Sequence, residues 1–130
     1  MKRLILDLDG TITHDNPLLD YMSREPNKAV VNRISEYRAL GFEICIHSAR
    51  NMRTYQQNLG KINARTLPGI VEWLERNAIP FDEIHVGKPW CGSEGFYVDD
   101  KAIRPSEFIK LDYGSIIELL NCETISDNRS

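Results

Sequence analysis

Near the amino terminus the apolar run Leu4-Ile5-Leu6 stops at two carboxylates, Asp7 and Asp9, and the chain turns at once through Gly10 and Thr11. Three continuous apolar residues are too few for a helix, so they predict a strand buried on both faces, as in a parallel sheet. Asp7 then falls at the carboxyl end of that strand, the edge where open α/β sheets form their ligand crevices. Residues two apart in an extended chain point to the same side, so Asp7 and Asp9 are expected to project together. Close carboxylates repel unless a cation or a proton is shared between them. Mg²⁺ would resolve this, because it suits oxygen ligands, keeps several waters and is held by one or two carboxylates plus a substrate phosphate. Asp-Gly is also a common turn pair, so on these residues alone an acidic turn at a strand end fits as well.

The rest of the chain reads as a repeating alternation of strand and helix. Residues 14–25 carry turn chemistry without helical or strand period and predict a loop or short flap. Val30, Val31, Ile34 and Tyr37 recur at helical steps over 26–40, and Gly41 marks the end of that helix. Residues 42–47 form a second apolar run that stops at Ser48, completing a strand–helix–strand unit. A loop with one helical turn is expected over 49–65, then a helix capped by Thr66 with Pro68 in its first turn and Ile70, Val71, Trp73 and Leu74 on one face. Residues 83–86 predict a third strand broken by Gly87-Lys88-Pro89, and 95–98 a fourth that ends at Asp99-Asp100. A helical pattern at 115–120 closes the fold, and 123–130 is a polar tail expected to be disordered. With 130 residues, 42% of them hydrophobic, the expectation is one α/β domain over 1–122: a three-layer, Rossmann-like arrangement with a mainly parallel sheet and no cap domain.

Composition excludes several functions. A net charge of −3 without a basic block argues against a nucleic-acid surface. Neither a signal-peptide core nor an apolar stretch of membrane-spanning length is present, so the expectation is a cytoplasmic protein without membrane insertion. Cys45, Cys91 and Cys122 are odd in number and lack a Cys-x-x-Cys spacing, which predicts free thiols rather than disulfides or a zinc site.

The strand ends supply, in chain order, Asp7 and Asp9, Ser48, Lys88, then Asp99 and Asp100. Parallel strands bring their carboxyl ends to one edge, so separate strand-end signals predict one cluster, and its chemistry points to phosphoryl transfer. A transferred phosphoryl group carries negative charge, and the protein must supply positioning, cations and a metal. Lys88 and Mg²⁺ would be the cations, Ser48 a hydroxyl donor to a phosphoryl oxygen, and Asp7 the nucleophile that forms an aspartyl-phosphate. Asp9 would protonate the leaving oxygen and later take a proton from water, which asks for acidic neighbours that raise its pKa. Asp99 would complete the metal site, with Asp100 as a ligand or its support.

In this order the residues resemble the haloacid dehalogenase superfamily of phosphatases and phosphotransferases. The first motif is similar to Asp7-Leu-Asp-Gly-Thr-Ile-Thr13, the second to the strand ending at Ser48, the third to Lys88, and the fourth to Tyr97-Val-Asp-Asp100. The resemblance implies Asp7 as nucleophile, Asp9 as acid and base, Ser48 and Lys88 on the phosphate, and Mg²⁺ on Asp7, the Asp9 carbonyl, Asp99 and Asp100. Ser48-Ala-Arg50, Gly87-Lys-Pro89 and Tyr97-Val-Asp-Asp-Lys-Ala102 further resemble a subgroup of capsule or polysaccharide biosynthesis phosphatases, which implies a sugar phosphate as substrate, with Thr11 and Arg50 beside Lys88 in binding it. About forty residues separate each motif from the next, which the predicted elements already occupy, so no cap domain fits. An uncapped site excludes water poorly, which suggests cover by the 14–25 flap, by a large substrate or by homo-oligomerisation.

Other readings share parts of this pattern. A phosphotransferase, or a phosphatase of a macromolecular substrate, would use the same residues. A receiver-like phosphate-binding module also uses Asp, Ser or Thr and Lys around Mg²⁺, but it places its acidic pair at the first strand and its phosphoacceptor later, the reverse of the order here. A nucleotide-sugar transferase with a metal-binding Asp-x-Asp needs an acceptor region for which 130 residues leave little room. His14, His47 and His85 are not at ligand spacing, Arg50 and Arg53 read as meeting the non-phosphoryl part of the substrate or as solvated loop cations, and Trp90 reads as a stacking platform or as packing beneath its loop.

Overall fold

The computed structural model describes residues 1–127, with side chains through Cys122. Three strands form a wholly parallel sheet in the order β1-β2-β3: β1 Arg3–Asp7, β2 Glu43–Ser48 and β3 Glu83–Val86. Helix α1, Lys28–Ala39, joins β1 to β2; α2, Leu59–Arg65, and α3, Leu67–Arg76, join β2 to β3. After β3 come α4, Pro105–Lys110, and α5, Tyr113–Asp127. The chain falls into two compact units, Met1–Trp90 and Cys91–Ser130. The class is the α/β one that the sequence predicts, with a Rossmann-like parallel sheet.

In the first unit, crossovers that step the same way from β1 to β2 to β3 carry their helices to one face of the sheet. The strand register then divides the side chains into two sets. Leu4, Leu6, Ile44 and Ile46 belong to the helical face, whereas Arg3, Ile5, Asp7, Cys45, His47, Glu83 and His85 share the other. The expected burial of β1 on both faces therefore holds for Leu6 but not for Ile5, which is 62% exposed. Val30, Ile34 and Tyr37 of α1, Ile62 of α2, and Ile70, Trp73 and Leu74 of α3 are buried with Ile44 and Ile46 of β2. Each such side chain contributes about 1.5–3 kcal/mol of burial free energy, which is what holds short helices of ordinary propensity in place.

Two features between Ser48 and α3 differ from the sequence reading. Residues 59–65 form α2 rather than a single turn; Asn58 caps it by accepting a hydrogen bond from the Lys61 N–H at 3.1 Å. Thr66 is not a side-chain cap for α3. It keeps a helical backbone because α2 runs into α3 there, and its hydroxyl donates to Asn51 Oδ1 at 2.7 Å.

Among the described residues of the second unit, the regular elements are helices. The strand expected at 95–98 does not form: Phe96, Tyr97 and Val98 are exposed in irregular backbone. A strand exists by pairing, and among the described residues of this unit there is no other strand to pair with. Helix α4, absent from the sequence reading, begins where the Glu107 carboxylate accepts the Arg104 N–H at 2.8 Å, and it buries Phe108. Helix α5 starts at Tyr113, with Asp112 Oδ1 accepting the Ser115 N–H at 2.8 Å, and its backbone stays helical through Asp127. The expected disordered tail thus begins as helix over 123–127, and residues 128–130 lie outside the described residues. All three cysteines are free thiols, and no described helix is long and apolar enough to cross a membrane.

Candidate active site

Immediately after β1 the chain winds tightly around one carbonyl: Leu8 O accepts the N–H groups of Thr11 at 3.3 Å, Ile12 at 2.9 Å and Thr13 at 3.0 Å. The reversal needs Gly10 at φ +83°, a left-handed conformation that side chains disfavour. Leu8, Ile12 and Thr13 are buried, so the loop that carries Asp9 and half-buried Thr11 is anchored from below.

Three segments meet at the carboxyl edge of the sheet. Lys88 Nζ lies 3.5 Å from Asp7 Oδ1, and the Lys88 N–H donates to Ser48 O at 3.1 Å, which registers the loop after β3 against the end of β2. Ser48 is fully buried, and its Oγ accepts the Arg50 N–H at 3.0 Å. That bond uses the oxygen as acceptor and leaves the hydroxyl proton available to donate. The carboxyl of Asp7 is raised in pKa by burial; Lys88 opposes the rise and the charge of Asp9 adds to it. The side chains of Asp7 and Lys88 thus meet, and Ser48 joins them through its main-chain carbonyl.

Asp9 is held differently from expectation. Its two oxygens take a forked pair from Arg50, Nε to Oδ2 at 3.1 Å and Nη2 to Oδ1 at 2.8 Å, and Arg24 Nη1 stands 3.6 Å from Oδ1. The groups bonded to Asp9 are cationic, while its acidic neighbour Asp7 is near enough for the two charges to act on each other. Arg50 is buried in this pair and is turned towards Asp9 rather than outward to a ligand. The turn after β2 explains its direction: Ser48 Oγ holds the Arg50 N–H, and Asn51 follows at φ +61°.

The flap lies against this pair. Residues Tyr21–Ser23 form a single 3₁₀ turn capped by Asp20, and the Tyr21 ring has Arg50 Cζ at 4.0 Å and Arg24 Cζ at 4.5 Å from its centre. Trp73 of α3 fastens the flap from the other end, its indole N–H donating to Arg24 O at 2.9 Å, and Arg76 donates to Met22 O. Tyr21 and Arg24 were missed in the sequence, where the only hint was one arginine in an otherwise turn-forming stretch.

Beside Lys88 opens a groove of about 620 Å³ lined by Arg53, Gln56, Gln57, Leu59, Gly87 and Trp90, among others. Arg53 Cζ stands 5.7 Å from the half-exposed Trp90 ring. Burial, then Lys88 and His85, push the pKa of His47 down, which favours a neutral imidazole next to the cluster. Asp99 and Asp100 belong to the second unit, where both are exposed and Asp99 Oδ1 accepts the Lys101 N–H at 2.8 Å.

No family model and no curated protein matches the chain. Among solved structures it is similar to the crystal structure of an MCSG target from Vibrio cholerae, at 54% sequence identity over 95% of this chain and 99% of that one, with a TM-score of 0.92.

Proposed function

We propose that this chain, which belongs to one family with the Vibrio cholerae protein, is a Mg²⁺-dependent phosphomonoesterase of the haloacid dehalogenase type that works through an aspartyl-phosphate. The observation that supports this best is the convergence of Asp7, Ser48 and Lys88, each from the end of a different parallel strand or the loop after it. A carboxylate with a lysine at 3.5 Å, on a loop whose main chain is tied to the Ser48 carbonyl, supplies a nucleophile and a cation for phosphoryl transfer to a side chain.

The donors also suit a hard cation. Asp7 offers a carboxylate whose ionisation burial disfavours, and a divalent ion relieves that cost. Asp7 and the Asp9 main-chain carbonyl would hold Mg²⁺, which when bound would neutralise charge on the phosphoryl oxygens. In the first half-reaction an Asp7 oxygen forms the new bond to phosphorus while the ester oxygen leaves and takes a proton from Asp9. Water then attacks phosphorus, the bond to Asp7 breaks, and Asp9 takes the water's proton. Lys88 and the Ser48 hydroxyl hold the phosphoryl oxygens throughout. Because Arg50 engages both Asp9 oxygens, one arm of the fork has to open when Asp9 serves as donor.

The favoured substrate is a sugar phosphate of capsular or surface polysaccharide synthesis, in the cytoplasm. The groove beside Lys88 supports it: Trp90 offers a stacking face, and Arg53, Gln56 and Gln57 offer polar groups for hydroxyls. The test is phosphate release from a panel of sugar phosphates and one aryl phosphate, with Mg²⁺ or EDTA, in wild type and Asp7→Asn. Turnover that requires both Mg²⁺ and Asp7 is expected. No release by folded protein in Mg²⁺ would replace this reading with a transferase or a phosphate-binding module.

A further inference from the structure

The sheet face opposite the helices carries a cluster that phosphoryl transfer does not use. Cys45 of β2 pairs in register with Glu83 of β3, and His85 follows Glu83 by two residues, so all three side chains emerge on the same side. The Cys45 thiol, a Glu83 oxygen and a ring nitrogen of His85 lie within 4.8 Å of one another. Within the Glu83 side chain, which is 41% exposed, Oε2 is shielded from solvent and has no hydrogen-bond partner. The nearest cation, Arg3 Nη2 at 3.6 Å, is beyond hydrogen-bond distance, and His85 Nε2 stands 3.9 Å from the other oxygen, Oε1. A buried carboxylate oxygen without a donor is costly unless something else satisfies it.

We propose that Cys45, Glu83 and His85 bind a zinc-class divalent cation at a site separate from the Asp7–Lys88 cluster. A thiolate, an imidazole and a carboxylate form a donor set that selects zinc and its neighbours over the hard ions Mg²⁺ and Ca²⁺. Tetrahedral zinc holds its ligand atoms about 3.3–3.8 Å apart, so the cluster has to contract slightly. His85, whose side chain is 55% exposed, is free of packing on one side and can rotate inward. Arg3 is the one cation facing Glu83 from β1, and it has a second partner to fall back on in Glu43, at 3.7 Å. Burial and Glu83 push the Cys45 thiol pKa up, so without metal the sulfur stays protonated and the metal has to displace that proton. Three ligands from two adjacent strands cross-link β2 to β3 and leave the fourth position of the ion to water.

Metal-free protein in excess Mg²⁺, which occupies hard oxygen sites, is titrated with Co²⁺ and then with Zn²⁺ against a chromophoric chelator. The expected result is one equivalent of Co²⁺ per chain with a near-ultraviolet thiolate-to-cobalt charge-transfer band, abolished by Zn²⁺ and absent from Cys45→Ser. Loss of a ligand costs at least what loss of a supporting group does, so His85→Ala and Glu83→Gln should weaken Zn²⁺ binding by at least ~10-fold. Cys91→Ser and Cys122→Ser should bind as wild type does. No band in wild type, a band that survives Cys45→Ser, or a band lost in Cys122→Ser overturns the proposal. If Cys45→Ser does not fold, exposed His85 still decides: unchanged Zn²⁺ affinity in His85→Ala overturns the site. No readout here involves phosphate release, so this proposal and the phosphatase reading stand or fall separately.

Discussion

Arg50 and Asp9, forty-one residues apart in the chain, form a two-point ion pair in which Nε meets Oδ2 at 3.1 Å and Nη2 meets Oδ1 at 2.8 Å. The planar guanidinium matches the carboxylate in a way that a lysine cannot. It fixes the loop after β1 to the turn after β2, the two segments that directly follow Asp7 and Ser48. Removing the arginine leaves a partly buried charge with one weaker contact, to Arg24. Arg50→Ala should cost about 2–3 kcal/mol, below the ~3–5 kcal/mol of a fully buried pair because the Asp9 side chain is 25% exposed. Arg50→Lys should fall between. Urea unfolding at neutral pH measures both, and a loss under about 0.5 kcal/mol for Arg50→Ala would mean that water screens the pair.

Asp7 gives a pH signature. Its pKa in the fold lies above the ordinary 3.8, so the fold binds its proton more tightly than the unfolded chain does. The resulting stability is fully present below 3.8 and is lost as pH rises through the folded-state value. Asp7→Asn removes that loss. Without metal, the variant should be more stable than wild type at neutral pH, by less than about 1 kcal/mol after solvent screening, and the gap should close on acidification. Thermal melts across that range in EDTA test it. A variant less stable than wild type at neutral pH would show that the Lys88 pair outweighs burial.

Tyr21 stacks on two guanidinium groups at once, so Tyr21→Ala should loosen the flap at both. The expected cost is about 1–2 kcal/mol, with faster amide exchange across residues 20–24. Tyr21→Phe keeps the ring face and should behave as wild type. Hydrogen exchange followed by mass spectrometry makes the comparison, and equal exchange in Tyr21→Ala would assign the hold on the flap to Trp73 instead.

Gly87 combines φ +87° with a Cβ position only 2.6 Å from Leu59 Cδ2. Gly87→Ala therefore meets backbone strain together with a contact that the half-exposed Leu59 side chain can relieve by moving, and should cost about 1–2 kcal/mol. The two causes separate in a double mutant with Leu59→Ala, which relieves the clash but not the strain. If the second change recovers nothing, measured by chemical denaturation, the cost is conformational alone.

Much of the first unit was legible because its signals are local and short-ranged. The apolar runs ending at Asp7 and Ser48, the 30-31-34-37 spacing of α1 and the Gly87-Lys88-Pro89 break each report their own neighbourhood. Parallel pairing then carries strand ends to one edge whatever the details. Helix α2 was hidden by its length and by Gly60 in its first turn, and α4 by the brevity of its apolar pattern. At 95–98 the opposite failure occurred: β propensity is strong in Phe96-Tyr97-Val98, yet propensity is a preference for a pleated partner, and the described residues of the second unit offer none.

Residue order was enough to settle the α/β class, the parallel sheet, and the arrival of Asp7, Ser48 and Lys88 at a common edge, because periodicity and strand direction are properties of the chain itself. The partner of each charged group was a matter for the folded molecule. That Asp9 answers to Arg50 and Arg24, that Tyr21 lies across both, and that Cys45, Glu83 and His85 share one face all depend on turn dihedrals and strand register. Those bring together residues whose separation in sequence carries no signal.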